Sequence, residues 1–390
     1  LKLAFEEARR WKSFHALPRG ADARPGLSAD IPGIIRDLFA RLSDEAQHGA
    51  VLVARSLSYL AASKNGLTED ELLDLLARDL EVYTWFLRDL YHIPPDLVRR
   101  AHQLLETTSE ALPEPHQGRP VDGSDAEGWL NRIREQPDAG GLRQFLSAAL
   151  AEGLQLPVVL WSRLHADLEP YLTERAGDGT SLLGFYHHQV EQVVAEDYLG
   201  KEAKAKRHRA LAQYYASQPL RIEAGGEPSA NLRVVSELPY QQAHGEMWTD
   251  LTATLTDLDF LQAKVGAMGP QALIEDYDQA YRAGYPSGSG LSLVGSALQL
   301  SAHVLGGDST VLAGQLLGRL MERPEPEIQA LLRQARKWRA VPWLCPLTPS
   351  LTPPGGWLVR TLDAHAGPVS AVAVLPEGRR VVSASSDGRI

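Results

Sequence analysis

Residues 357–390 alternate short apolar runs with the turn sequences Pro376-Glu-Gly and Ser386-Asp-Gly. A period of two between glycine-bearing turns predicts antiparallel strands. This stretch constrains the chain most, because so small a sheet cannot bury its own faces and needs neighbours. The residues before it have the opposite habit, apolar side chains at helical spacing, so the fold class is mainly α with a β element at its C-terminus. Residue 1 is Leu and lies inside a helical pattern already under way, which leads us to expect a piece of a larger protein.

The 390 residues are enough for about two to four domains. Hydrophobic residues make up 44% and charged residues 23%, the balance of a soluble globular protein. Thirty-nine basic against 49 acidic residues leave a net charge of −10. That argues against a general nucleic-acid binder, which needs a basic footprint. The single cysteine, Cys345, excludes an internal disulfide and a multi-cysteine zinc site, and it suits the reducing cytoplasm expected as the location. The longest uncharged stretch, Ala283 to Gly307, is rich in Ser and Gly before Val294 and reads as loop plus helix, so no membrane span is expected.

Helical spacing is visible over 1–14, through Leu1, Ala4, Phe5, Ala8 and Trp11. Asp30 is placed to cap a second helix with Pro32 in its first turn and Ile35, Leu38, Phe39 and Leu42 on one face. These helices, 1–46, form the first segment. A third helix runs from about His48 to Ala62. Beyond Gly66, Thr68 and Glu71 have capping-box spacing and Leu67 and Leu72 that of a hydrophobic staple. Residues 82–155 are broken by Pro94, Pro95, Pro113, Pro115, Pro120 and Pro137 and read as an irregular insertion. Two short runs, 169–175 and 181–187, flank Ala-Gly-Asp-Gly-Thr, a hairpin signal, and a helix with Val190, Val193 and Val194 follows. Helix-turn-helix plus hairpin predicts a winged-helix domain over 47–200. Residues 201–340 predict a solenoid-like α-helical array, with helix pairs 235–248 and 249–265, 270–282 and 290–305, 309–322 and 326–339. Pro342, Pro346, Pro349, Pro353 and Pro354 then make a stiff linker, 341–356.

His187 is the foremost candidate site residue. It ends a predicted strand just before a helix, and helix N-termini attract phosphate, so its imidazole could donate to a phosphate oxygen. The plainer alternative is a histidine hydrogen-bonded within the hairpin. His188 and Glu191 have i,i+3 spacing but no third partner in view, so no metal site is expected. The helix from Thr68 to Glu81 carries Glu69, Asp70, Glu71, Asp74, Asp79 and Glu81 against Arg78, which would repel DNA. Lys201, Lys204, Lys206, Arg207 and Arg209 form a basic run, read as a solvated helix face or as a contact with an acidic surface or a nucleotide phosphate. The one Gly-Lys, Gly200-Lys201, precedes Glu202 on a helical stretch and lacks the Gly-rich loop of a phosphate cradle. No nucleophile and base stand together, so this segment is not expected to be an enzyme.

Three blocks resemble the STAND signalling NTPases of the NACHT/WD-repeat type. They are Ile31 to Leu42 with Ser63 to Leu73; Leu168 to Leu172 with Ser181 to His188; and Glu237 to His244 with Leu258 to Leu261 and Ala272 to Asp278. The tail from Trp357 resembles the opening of a WD-repeat β-propeller, in which 357–362 would be the outer strand of a blade. His365 and Asp387 resemble that repeat's structural histidine and turn aspartate, with Ala364 in place of the usual glycine. The resemblance implies a P-loop core ahead of residue 1 and further blades behind, both partners of this segment within one polypeptide. It implies ADP or ATP with magnesium in the whole protein and no cofactor held by this segment alone. Gly184-Phe-Tyr-His187 is similar to the family's pattern in which the histidine touches the β-phosphate of ADP and holds the closed state. A protein or small-molecule ligand on the propeller, and a homo-oligomer on activation, are also implied. A passive scaffold with a degenerate NTPase is the competing reading.

Overall fold

The computed structural model describes residues 28, 30–79, 81–82, 85–86, 158–224, 226–286, 290–359, 361–362 and 364–389. The helix expected over 1–14, and the irregular stretch 82–155 apart from 82, 85 and 86, lie outside them. The described chain is mainly helical with three two-stranded antiparallel pairs, and it divides into two units between Ser217 and Gln218.

The first unit contains α1 (Ile31–Leu42), α2 (Ala50–Ala62), α3 (Glu69–Arg78), α4 (Val158–Leu168), β1 (Leu172–Gly177), β2 (Thr180–Phe185), α5 (His188–Tyr198) and α6 (Lys201–Ala216). Asp30 caps α1, its Oδ1 accepting the Gly33 N–H at 2.7 Å, and Ile35, Leu38, Phe39 and Leu42 are buried. Helix α2 lies at the centre, packed on α1, α3, α5, α6 and β2. It is therefore buried nearly all round, through Leu52, Val53, Leu57, Tyr59 and Leu60 and also Ser56 and Ser58. The turn to α3 depends on Gly66, at φ +101°, a region open to glycine. Thr68 and Glu71 then form a reciprocal capping box, with Glu71 N–H to Thr68 Oγ1 at 3.1 Å and Thr68 N–H to Glu71 Oε2 at 2.9 Å. Leu67 and Leu72 beside it are fully buried.

The array was expected to begin at 201, but α6 packs on α2 and α3 and belongs to the first unit. Its inward face is Arg207, His208, Leu211, Ala212, Tyr214 and Tyr215.

The second unit opens with a hairpin of β3 (Arg221–Ala224) and β4 (Glu227–Ala230), which no sequence signal had announced. Helices α7 (Leu232–His244), α8 (Trp248–Leu255), α9 (Leu258–Arg282), α10 (Gly290–Leu305), α11 (Leu312–Leu320) and α12 (Pro326–Lys337) follow. Successive helices pack together, α9 on α10, α10 on α11 and α11 on α12, while α7 packs on α9. The expected helix 249–265 is two: α8 ends near Thr256, and Asp257 caps α9 by accepting the Asp259 N–H at 2.8 Å. Helix α9 itself breaks at Gly269, φ +82°, before Pro270, which cannot continue the ladder. Across this break Lys264 Nζ lies 2.5 Å from Asp276 Oδ2 and donates to the Val235 carbonyl at 2.6 Å, so one buried cation ties both halves of α9 to α7.

The last pair is β5 (Val369–Val374) with β6 (Val381–Ser385), Val374 opposite Val381 and the register shifting between Val369 and Ala371. Val372, Val374 and Val381 are each at least 60% exposed, as expected of a sheet without a covering layer. The described residues of 357–362 form no strand. No helix among the described residues is long and apolar enough to cross a membrane.

Candidate functional site

The β1–β2 hairpin positions His187. Asp178 and Gly179 both have positive φ, 48° and 78°, the left-handed pair that a tight two-residue turn needs. The register sets Leu172 opposite Phe185, and β2 buries Leu182, Leu183 and Phe185. The Tyr186 N–H then donates to the Tyr171 carbonyl at 2.9 Å, and the chain enters α5 directly.

His187 is the N-cap residue of α5, at φ −123° and ψ 133°, but its side chain makes no capping hydrogen bond. The ring is exposed and meets Tyr186 edge-on, with centroids 4.5 Å apart. His188 is exposed as well, whereas Val190, Val193 and Val194 turn inward. An imidazole not engaged in capping, beside the positive end of a helix, has the chemistry to donate to an anion.

The other end of α5 is held by α1. Arg36 Nε lies 3.0 Å from Asp197 Oδ2, and its Nη2 lies 2.8 Å from Glu196 Oε2. These side chains are partly exposed, so the ion pairs add little by themselves. The Phe39 and Tyr198 rings, 5.8 Å apart, carry the apolar part of the contact.

Where α6 packs on α2 and the end of α3 lies a buried ionic cluster. Arg207 Nη1 donates to Asp79 Oδ2 at 2.7 Å and to the Tyr59 hydroxyl at 3.1 Å, and that hydroxyl donates to Asp79 Oδ2 at 2.9 Å. Burial first, and then Asp79, push the Tyr59 phenol well above its ordinary pKa, so it stays a donor. Arg55 and Lys206 both pair with Glu81 at the rim. Burial would raise the Glu81 carboxyl, but these two cations outweigh it and hold its pKa low.

In the second unit, His365 Nδ1 sits 3.3 Å from Asp387 Oδ2 and its Nε2 2.7 Å from Ser383 Oγ. Asp387 also accepts the N–H groups of Arg389 and Ala366, each at 2.9 Å. The Arg389 N–H most of all, helped by that of Ala366 and by His365, holds its carboxyl below the usual range. The arrangement locks a turn to a strand.

No family model matches the chain. NACHT domain- and WD repeat-containing protein 1 of mouse and that of human are each 29% identical to it over 423 residues, which take in the whole chain and 23% of each relative. Over its whole length the chain is thus similar in sequence to NACHT/WD-repeat proteins. It spans about a quarter of the length of the curated relatives it matches.

His365 and Asp387 come together, and His187 stands in the other unit. Among the described residues no group of His, Cys, Asp or Glu gathers that could hold a metal ion, at His188 and Glu191 or elsewhere. Lys201, Lys204 and Arg209 are exposed, but Arg207 is buried. The Asp79–Arg207–Tyr59 cluster was missed in the sequence, although Arg207 stands one helical turn before Leu211 on the same inward stripe.

Proposed function

We propose that this chain is the regulatory and sensor segment of a nucleotide-switched STAND NTPase. Its first unit is a winged helix that holds an ADP-bound off state, and its helical array couples that state to a ligand-sensing WD propeller. The kinship to NACHT/WD-repeat proteins supports the class of switch. One observation carries the site: His187 is exposed at the start of α5, its side chain is not used for capping, and its backbone is fixed by the hairpin below.

The winged-helix reading rests on α2, the Gly66 turn and α3, with the β1–β2 hairpin joined to that turn at Leu67 and Leu183. His187 fits the terminal phosphate of ADP as a hydrogen-bond donor. The nucleotide and its magnesium would sit on the P-loop core of the same polypeptide, and no described residue is assigned to the metal. Bound ADP supplies the negative charge. This chain supplies a rigid hairpin that aims one imidazole at it and a helix whose far end is held by Arg36. A ligand on the propeller shifts the balance to an ATP-bound, self-associating form only by binding that form better. The switch would work in the cytoplasm. No bond-breaking step is placed on this segment.

Nucleotide released by denaturing the intact, freshly purified protein tests the reading. Close to one ADP per chain is expected. Protein without nucleotide, and unable to take it up, would favour the scaffold.

A further inference from the structure

Between α12 and β5 lies the proline-rich stretch that the sequence predicts to be a spacer. It is anchored at several points. The Trp343 indole donates to the Trp338 carbonyl at 3.1 Å, and its ring lies over Gly314, 3.8 Å from where a Cβ would stand. One turn along α11, the Leu351 N–H donates to the Gly318 carbonyl at 3.1 Å. The Leu351 side chain fills the space above Gly318, where a Cβ would come within 2.9 Å of it. Two glycines one turn apart thus give α11 a bare groove. Arginines close it: Arg319 Nη1 donates to the Thr352 carbonyl and Arg323 Nη2 to the Pro354 carbonyl, each at 2.8 Å. Pro354 is buried.

Arg319 joins the segment to the array. Its Nε donates to Ser301 Oγ at 2.9 Å, and its Nη2 to the Leu300 carbonyl at 3.2 Å and Gln315 Oε1 at 3.4 Å. One guanidinium therefore serves α10, α11 and the proline-rich stretch, and all these acceptors are neutral. A proline-rich chain has little conformational freedom to lose on docking, so a few such contacts suffice to hold it.

We propose that residues 343–354 are a docked strap on α11, so that the chain leading to the C-terminal hairpin leaves the helical array from a fixed point at Pro354 and not from a loose linker. The proposal does not depend on the nucleotide reading.

Hydrogen exchange and spin-label distances in the intact protein test it. The Leu351 amide should be protected, and Arg319→Gln with Arg323→Gln should speed its exchange by at least about tenfold, the order set by losing charge-assisted hydrogen bonds. The amides of Leu316 and Leu317 within α11 should keep their protection. With Cys345→Ser and labels at Arg333→Cys and Thr352→Cys, the distance distribution should be a single narrow peak that broadens in the double variant. If the double variant misfolds, Arg323→Gln alone, at a half-exposed side chain, should give a smaller change in the same direction. Random-coil exchange at Leu351, exchange indifferent to the arginines, or a broad distance distribution before mutation would overturn the proposal.

Discussion

Leu67 and Leu183 exchange both backbone hydrogen bonds, N–H to O at 3.1 Å in one direction and 2.7 Å in the other. This bridge joins the turn between α2 and α3 to the hairpin that ends at His187.

Gly66 is what permits the bridge. Its φ is +101°, and a Cβ on it would run into the Leu183 carbonyl oxygen. Gly66→Ala combines backbone strain with that clash and should cost about 2–4 kcal/mol of stability. Thermal unfolding checks the loss, and the exchange rate of the Leu183 amide should rise ahead of amides in α2.

Arg207→Met leaves Asp79 buried with only Arg55 Nε, 3.5 Å away, for charge compensation. A loss of about 3–5 kcal/mol is expected, the usual cost of breaking a buried ion pair from one side. Asp79→Leu added to it removes the orphaned charge and should restore part of the stability. Urea denaturation followed through the buried Trp161 measures both. A double variant weaker than the single one would mean that the cluster acts through its shape and not its charge.

The pH response of the C-terminal hairpin follows from Asp387. Its folded pKa is lowered, so its stabilising contribution is complete above the ordinary carboxylate value of 3.8 and is lost as pH falls through the lower folded value. Carboxyl carbon NMR should show Asp387 titrating below 3.8, and the Ala366 amide should lose protection in the same step. Asp387→Asn should abolish the step.

Much of the first unit was legible in the sequence because its signals are local: the Asp30 cap, the Thr68–Glu71 box and the glycine-bearing hairpin turn each act within a few residues. The separate helices expected over 249–265 and 270–282 also flank the break found at Gly269. The β3–β4 hairpin was not, because runs of four residues around Gly226 carry no clear alternation. Arg207 was hidden in a basic run, since composition marks charge as exposed and only the phase with Leu211 and Tyr215 shows otherwise. The strap was unreadable because its prolines announce stiffness, whereas its docking depends on Gly314 and Gly318 on another element. His187 could be singled out by its place between strand and helix, but its exposure is a three-dimensional fact.

The central claim is that the His187 imidazole helps to hold ADP. Its most direct measure is the rate of ADP release from the intact protein, compared among wild type, His187→Ala and His188→Ala. A hydrogen bond to a charged phosphate is worth about 1.5–3 kcal/mol, so release from His187→Ala should be roughly 10- to 100-fold faster, with basal activity raised and His188→Ala close to wild type. Equal release rates for wild type and His187→Ala would contradict the account.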